Sequence, residues 1–164
     1  AHTIWAARYL QLTKRQRVLV SSRLGTMGFS LPAAIAAQLA RPDDRVVVIC
    51  GDGGIQMVIG ELATAVQYQL PIILIIFNNN VLQNVATQQA ARYGTDLHNP
   101  DFVALAKAYG ADGAVIDGQT DVNEVLKQAF ADRRVPFVID LRCDPTILLP
   151  LSKWEQEFEP VSVR

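Results

Sequence analysis

An aspartate stands among glycines at Gly51-Asp52-Gly53-Gly54, directly after the apolar run Val46–Cys50. The carboxylate sits where the chain must turn sharply and keep its backbone bare. Glycines let a ligand approach the main chain closely, and a helix opening here offers free N–H groups and a positive dipole end. Together these favour phosphate. An aspartate inside such a seat repels phosphate unless a cation lies between them. No Cys or His is among the oxygen-bearing residues nearby, so the cation is a hard one. The next apolar run ends in Asn78-Asn79-Asn80, and Asn79 follows Asp52 by 27 positions. If the two runs are neighbouring strands, Asp52 and Asn79 meet at one sheet edge. One carboxylate, one amide oxygen, a main-chain carbonyl, two diphosphate oxygens and a water complete an octahedron, the geometry magnesium prefers.

The better-known phosphate loops do not fit. The dinucleotide fingerprint G-x-G-x-x-G fails at its third glycine, where Gln56 stands, and no acidic residue ends the next strand to take a ribose. A Walker loop fails because no Gly-Lys-Ser/Thr follows.

The elements that must position these residues alternate between strand and helix. Val18–Ser21, Val46–Cys50, Ile72–Phe77, Ala114–Ile116 and Phe137–Leu141 read as short strands, apolar on both faces. Helical text lies between them: Leu31–Leu39 with Pro32 in its first turn, Gln56–Tyr68, Asp101–Tyr109 ending at Gly110, and Val122–Ala131 after Thr120-Asp121. Such alternation predicts a three-layer, doubly wound, mostly parallel α/β sheet with helices on both faces and right-handed crossovers. In sheets of this kind ligands sit beyond the carboxyl ends of the strands, where Asp52 falls.

The chain of 164 residues fits one domain, 1–164, with an irregular tail at 151–164. Half of it is hydrophobic, yet no run approaches the roughly 20 residues that span a bilayer, so no membrane role is expected. A net charge of −1 without a basic stripe argues against nucleic acid. Cys50 and Cys143 lack metal-ligand spacing and end apolar runs. They read as reduced thiols of a cytoplasmic protein without a signal peptide. The first residue is Ala1, in text that already looks helical, which hints at a piece of something longer.

The motif "GDG", 24 residues, then "NN" resembles the signature of thiamine-diphosphate-dependent enzymes. "RLGTMGFSLPAAIAAQLARP", "ELATAVQYQLPIILIIFNNN" and "NPDFVALAKAYGADG" resemble, in the same order, segments of acetolactate synthases and related 2-oxo-acid enzymes. The resemblance covers nearly the whole chain and identifies it with the C-terminal diphosphate-binding domain, of thiamine-diphosphate-binding fold. It implies that Asp52, the Asn79 side chain and the Val81 carbonyl bind Mg²⁺. It also implies that Gly51, Gly53 and Gly54 line the diphosphate, Gly53 and Gly54 through their N–H groups. Where many relatives carry serine, Gly54 offers no hydroxyl. From "GTMG", the resemblance implies that Met27 props the cofactor into a bent shape and that the Gly25 carbonyl accepts from the pyrimidine 4′-amino group. Carbanion stabilisation then belongs to the cofactor, and orientation to Gly25 and Met27.

The activating glutamate of such enzymes comes from a pyrimidine-binding domain, for which this chain has no matching text. Glu61 lies too close to the diphosphate end to serve. A partner domain of the same or a separate chain is therefore expected, with a homodimer or tetramer as the full form and no activity from the isolated domain. The function implied is decarboxylation of a 2-oxo acid followed by ligation of the carbanion to a second carbonyl. The alternatives are a 2-oxo-acid decarboxylase domain or subunit and a non-catalytic assembly module of the same fold. Leu82-Gln83-Asn84 departs from the glycine-containing run of related synthases, on the side that borders the substrate.

Each residue also has a plainer role open to it. Asp52 can cap a helix, the asparagines can form a turn, and Met27 can fill a core. His98 fits a turn before a helix, and Gln88 and Gln89 a solvated surface. Trp5 and Tyr9 stand at helical spacing and pack inward or against a further domain.

Overall fold

The computed structural model describes residues 2–13, 15–131 and 134–147. The chain runs α1 (His2–Tyr9), α2 (Ser30–Ala40), β1 (Val47–Gly51), α3 (Asp52–Gln56), α4 (Glu61–Gln67) and β2 (Ile73–Asn78). It continues through α5 (Gln83–Ala86), α6 (Phe102–Ala108), β3 (Asp112–Ile116), α7 (Val122–Phe130) and β4 (Phe137–Arg142). The four strands among these residues form one parallel sheet in the order β1-β2-β4-β3.

Strand order explains which face each helix takes. The steps β1 to β2 and β2 to β3 move the same way across the sheet, whereas β3 to β4 moves back. With every crossover right-handed, α4 and α6 share one face and α7 takes the other. Packing agrees. Val48, Cys50, Leu74, Ile76 and Val138 lie under α2, α3, α4 and α6, which contribute Leu31, Ile55, Leu62 and Phe102. On the opposite face Ile73, Phe137 and Ile139 meet Val125 and Ala129 of α7. The result is the three-layer α/β architecture expected from the alternating text. Period-two alternation along β2 serves both cores at once, so both faces of the strand are apolar.

Helix ends follow side-chain chemistry. Asp101 accepts from the N–H groups of Val103 and Ala104, and Asp121 from those of Asn123 and Glu124. Gly110, at φ +89°, lets the chain leave α6 in the left-handed region.

Three expectations need correction. Val18–Ser21 forms no strand: no ladder reaches it, and Val18, Leu19 and Val20 are each more than half exposed. The β-branched pattern is present, but no neighbouring strand pairs with it. The helix expected over Gln56–Tyr68 breaks between α3 and α4. There the N–H groups of Val58, Glu61, Leu62 and Ala63 bond three residues back instead of four. Val58, Ile59 and Gly60 are poor helix formers, which accounts for the tightened turns. The polar text QNVATQQAARYG, Gln83 to Gly94, reads as a short loop, yet it opens with the helix α5. The tail 151–164 falls outside the described residues.

Candidate functional site

The carboxyl ends of β1 and β2 lie side by side, with Gly51 in register with Phe77. Asp52 therefore meets the asparagine run. Its side chain is buried, at 3 % exposure. Its Oδ2 accepts from the backbone N–H groups of Asn79 (3.2 Å) and Asn80 (2.8 Å) and from Asn99 Nδ2 (2.8 Å). Its Oδ1 accepts only from the adjacent Gly53 N–H, at 2.8 Å. A buried carboxylate needs compensation, and N–H dipoles supply part of it. Among the described residues no ion pair reaches Asp52.

The Asn79 side chain is fixed at both ends. Its Oδ1 accepts from Val81 N–H (3.2 Å), and its Nδ2 donates to Gln83 Oε1 (3.1 Å). The Val81 carbonyl accepts from Gln83 N–H at 2.8 Å, which leaves one lone pair for another partner. Gln83 is buried and also borders an open cavity of about 250 Å³ with Thr87, Arg92 and Pro145.

The two glycine loops meet. A Cβ on Gly53 would run into Leu82 and lie 3.6 Å from Met27 Cε, and one on Gly54 would lie 3.7 Å from Gly28 N. Gly28 sits at φ +81°, where a side chain is strained, and an added Cβ would lie 3.0 Å from Val58 Cγ1. Asp52, Gly53, Gly54, Asn79, Val81 and Met27 thus gather at one edge. At Gly25, with φ +57°, an added Cβ would meet nothing within 4 Å. Met27 is nearly half exposed.

Several neighbours escaped sequence reasoning. Asn99 Nδ2 donates to both Asp52 Oδ2 and Asn78 Oδ1, each at 2.8 Å, and its Oδ1 accepts from Gln56 Nε2. Asn78 Nδ2 donates in turn to Asp140 Oδ1 at 2.8 Å. The second Asp140 oxygen lies 3.6 Å from Arg142 Nε. Asp140 offered one signal, a charge inside the apolar run of β4. His2 offered none. Its ring packs on Gly51, where a Cβ would fall 2.9 Å from Nδ1, and burial lowers its pKa to about 4. His98 is exposed, and Gln88 and Gln89 bond locally to Asn84 and Tyr93. Cys50 is buried, and burial pushes its thiol up to about 12.

The donor set fits a hard cation bridged to phosphate. It combines one buried carboxylate without an ion pair among the described residues, an anchored amide oxygen and a main-chain carbonyl, beside the glycines of the turn. No cluster of three His, Cys, Asp or Glu gathers among the described residues. A cation here would complete its shell from non-protein oxygens.

Comparison with known proteins gives the same direction. Residues 1–141 match the family model for the C-terminal TPP-binding domain of thiamine pyrophosphate enzymes. A probable acetolactate synthase large subunit of Methanococcus aeolicus is 36% identical over 90% of this chain and 26% of its own length. The acetolactate synthase isozyme 3 large subunit of Escherichia coli (strain K12) is 41% identical over 81% of this chain and 24% of its own length. Among solved structures, a thiamine diphosphate-dependent 4-hydroxybenzoylformate decarboxylase of Rhodococcus jostii RHA1 matches with a TM-score of 0.66 and 36% identity. That match covers 73% of this chain and 24% of the other. The chain spans about a quarter of the length of these relatives. No helix among the described residues is long and apolar enough to cross a membrane. The chain belongs to the thiamine pyrophosphate enzymes, as their C-terminal TPP-binding domain.

Proposed function

We propose that this domain holds the diphosphate and Mg²⁺ of thiamine diphosphate as half of the active site of an acetolactate-synthase-like carboligase. The observation that carries this reading is the buried Asp52 carboxylate, which has N–H donors and, among the described residues, no ion pair, where the two glycine loops converge. Asp52 Oδ1, Asn79 Oδ1 and the Val81 carbonyl would hold the cation, while Gly51, Gly53 and Gly54 admit the diphosphate to the main chain. The bound cofactor supplies the electron sink that stabilises a carbanion after a 2-oxo acid loses CO₂. Met27, beside Gly53, would support the cofactor from below, and the Gly25 carbonyl would accept a hydrogen bond from its amino group. The pyrimidine half and its activating glutamate come from a partner domain, so the domain alone is inactive and the working form is a dimer or tetramer.

A second reading is simple decarboxylation of a 2-oxo acid, favoured by the structural match to the 4-hydroxybenzoylformate decarboxylase. Both readings share this half-site and differ in what meets the carbanion.

The test is calorimetric titration of thiamine diphosphate with Mg²⁺, using the unaltered chain and Asp52→Asn. Metal-dependent binding that disappears in Asp52→Asn is the expected result. Equal binding in both, or binding indifferent to Mg²⁺, overturns the assignment of Asp52.

A further inference from the structure

Asp52 is oriented by a side chain that lies 47 residues further along, in the irregular segment just before α6. We infer that Asn99 is a positioning residue for the metal carboxylate: it pins Asp52 Oδ2 to Asn78 and so leaves Oδ1 to face the cation. This inference rests on the reading of Asp52 as a metal ligand.

The hydrogen-bond pattern assigns the orientation of the Asn99 amide. A carboxylate only accepts, so the Asn99 atom 2.8 Å from Asp52 Oδ2 is the nitrogen. The other N–H of that nitrogen reaches Asn78 Oδ1, also at 2.8 Å. Its carbonyl oxygen accepts from Gln56 Nε2, one turn after Asp52 on the same short helix. Both donors of the Asn99 amide and one acceptor site are therefore used, and reversing the amide would break all of these contacts. Asn78 is itself tied to Asp140, buried at 1 % exposure in the centre of the sheet.

Asp52 Oδ2 thus takes three N–H donors, two from main chain that cannot be mutated away and one from Asn99. The Asn99 bond alone ties the carboxylate to the Asn78 side chain. Without it the carboxylate keeps its charge and its main-chain donors and can still bind metal, but it loses the one side-chain bond that helps fix its rotation. Outer-shell partners of this kind typically change metal affinity by about 10–100-fold.

The experiment measures Mg²⁺ affinity at saturating thiamine diphosphate, following cofactor binding by calorimetry. It compares the unaltered chain with Asn99→Ala and Gln56→Met, and records each melting midpoint without metal. For Asn99→Ala the expected result is a tenfold or greater loss of Mg²⁺ affinity, recovered in full at high Mg²⁺, as a missing ligand would not allow. Gln56 is exposed, so Gln56→Met should keep its metal-free midpoint while weakening Mg²⁺ severalfold. That variant carries the test if Asn99→Ala does not fold. Mg²⁺ affinity within twofold of the unaltered chain in the folded variants overturns the inference and leaves the site reading standing. Affinity that falls only in step with the metal-free midpoint also overturns it, because Asn99 is then merely structural. If the unaltered chain itself shows no Mg²⁺-dependent binding, the site reading fails and the inference fails with it.

Discussion

Asp140 shows how much of the site depends on a residue that touches no ligand. It lies at the centre of the sheet with its carboxylate shared between Asn78 Nδ2 and Arg142. Asp140→Ala would leave the Asn78 amide with a buried, unsatisfied N–H and remove the partner of Arg142. Losing one partner of a buried polar pair costs about 1–3 kcal/mol, so urea unfolding should show Asp140→Ala destabilised by roughly that amount. A change below about 0.5 kcal/mol would mean that water reaches Asn78 and replaces the bond. Legibility differed among these residues for a physical reason. Asp52 and Asn79 stand in short local patterns, glycines around an aspartate and amides after an apolar run. Asn99 and Asp140 work through contacts 47 and 62 residues away, and locally they look like a turn and a strand. An aspartate in a strand buried on both faces was nonetheless a contradiction that asked for a partner.

Among the elements, α1 is the one whose docking should respond to pH. His2 packs on Gly51 at the end of β1, and burial lowers its pKa from 6.5 to about 4. The folded state therefore prefers the neutral ring. This contribution is fully present above pH 6.5, declines as pH falls from there, and is spent near pH 4, where the docked ring also protonates. Trp5 and Tyr9 stack on the same helix at 5.5 Å, so Trp5 emission reports its environment. Between pH 7 and 4 that emission should shift before the sheet unfolds, and His2→Phe should abolish the early shift. Emission that changes only with global unfolding would dissociate His2 from the docking of α1. Strands in the sheet were readable to within a residue or two because apolar runs bounded by turn residues have few other uses. Val18–Ser21 shares that composition and forms no strand, since strand identity also requires a neighbour. The break between α3 and α4 was hidden because the helical spacing of Ile55, Ile59, Leu62 and Val66 continues across it.

For the molecule as a whole, the surface is informative where it is apolar. Val18, Leu19, Val20, Leu24, Phe29 and Met57 are all exposed, several by more than half, along and beside the segment that carries Met27. Large apolar side chains left exposed close together in sequence suggest a contact face. We expect the isolated chain to self-associate, with sedimentation coefficients rising with concentration and with dye binding in the native state. A monodisperse monomer without dye binding would mean that this face is not a contact surface.

The strand order carries a consequence for how the chain comes off the ribosome. β4 is last in sequence, yet it lies between β2 and β3. Until Phe137–Arg142 has been synthesised, β3 has no strand to pair with, and β2 pairs on one side only. Two apolar strand edges therefore wait open until then, that of β2 from Asn78 onward and that of β3 from Ile116 onward, a state in which wrong pairings compete. A chain broken off anywhere before Phe137 would lose the strand that joins the two halves of its sheet, together with Asp140 and the anchor of Asn78.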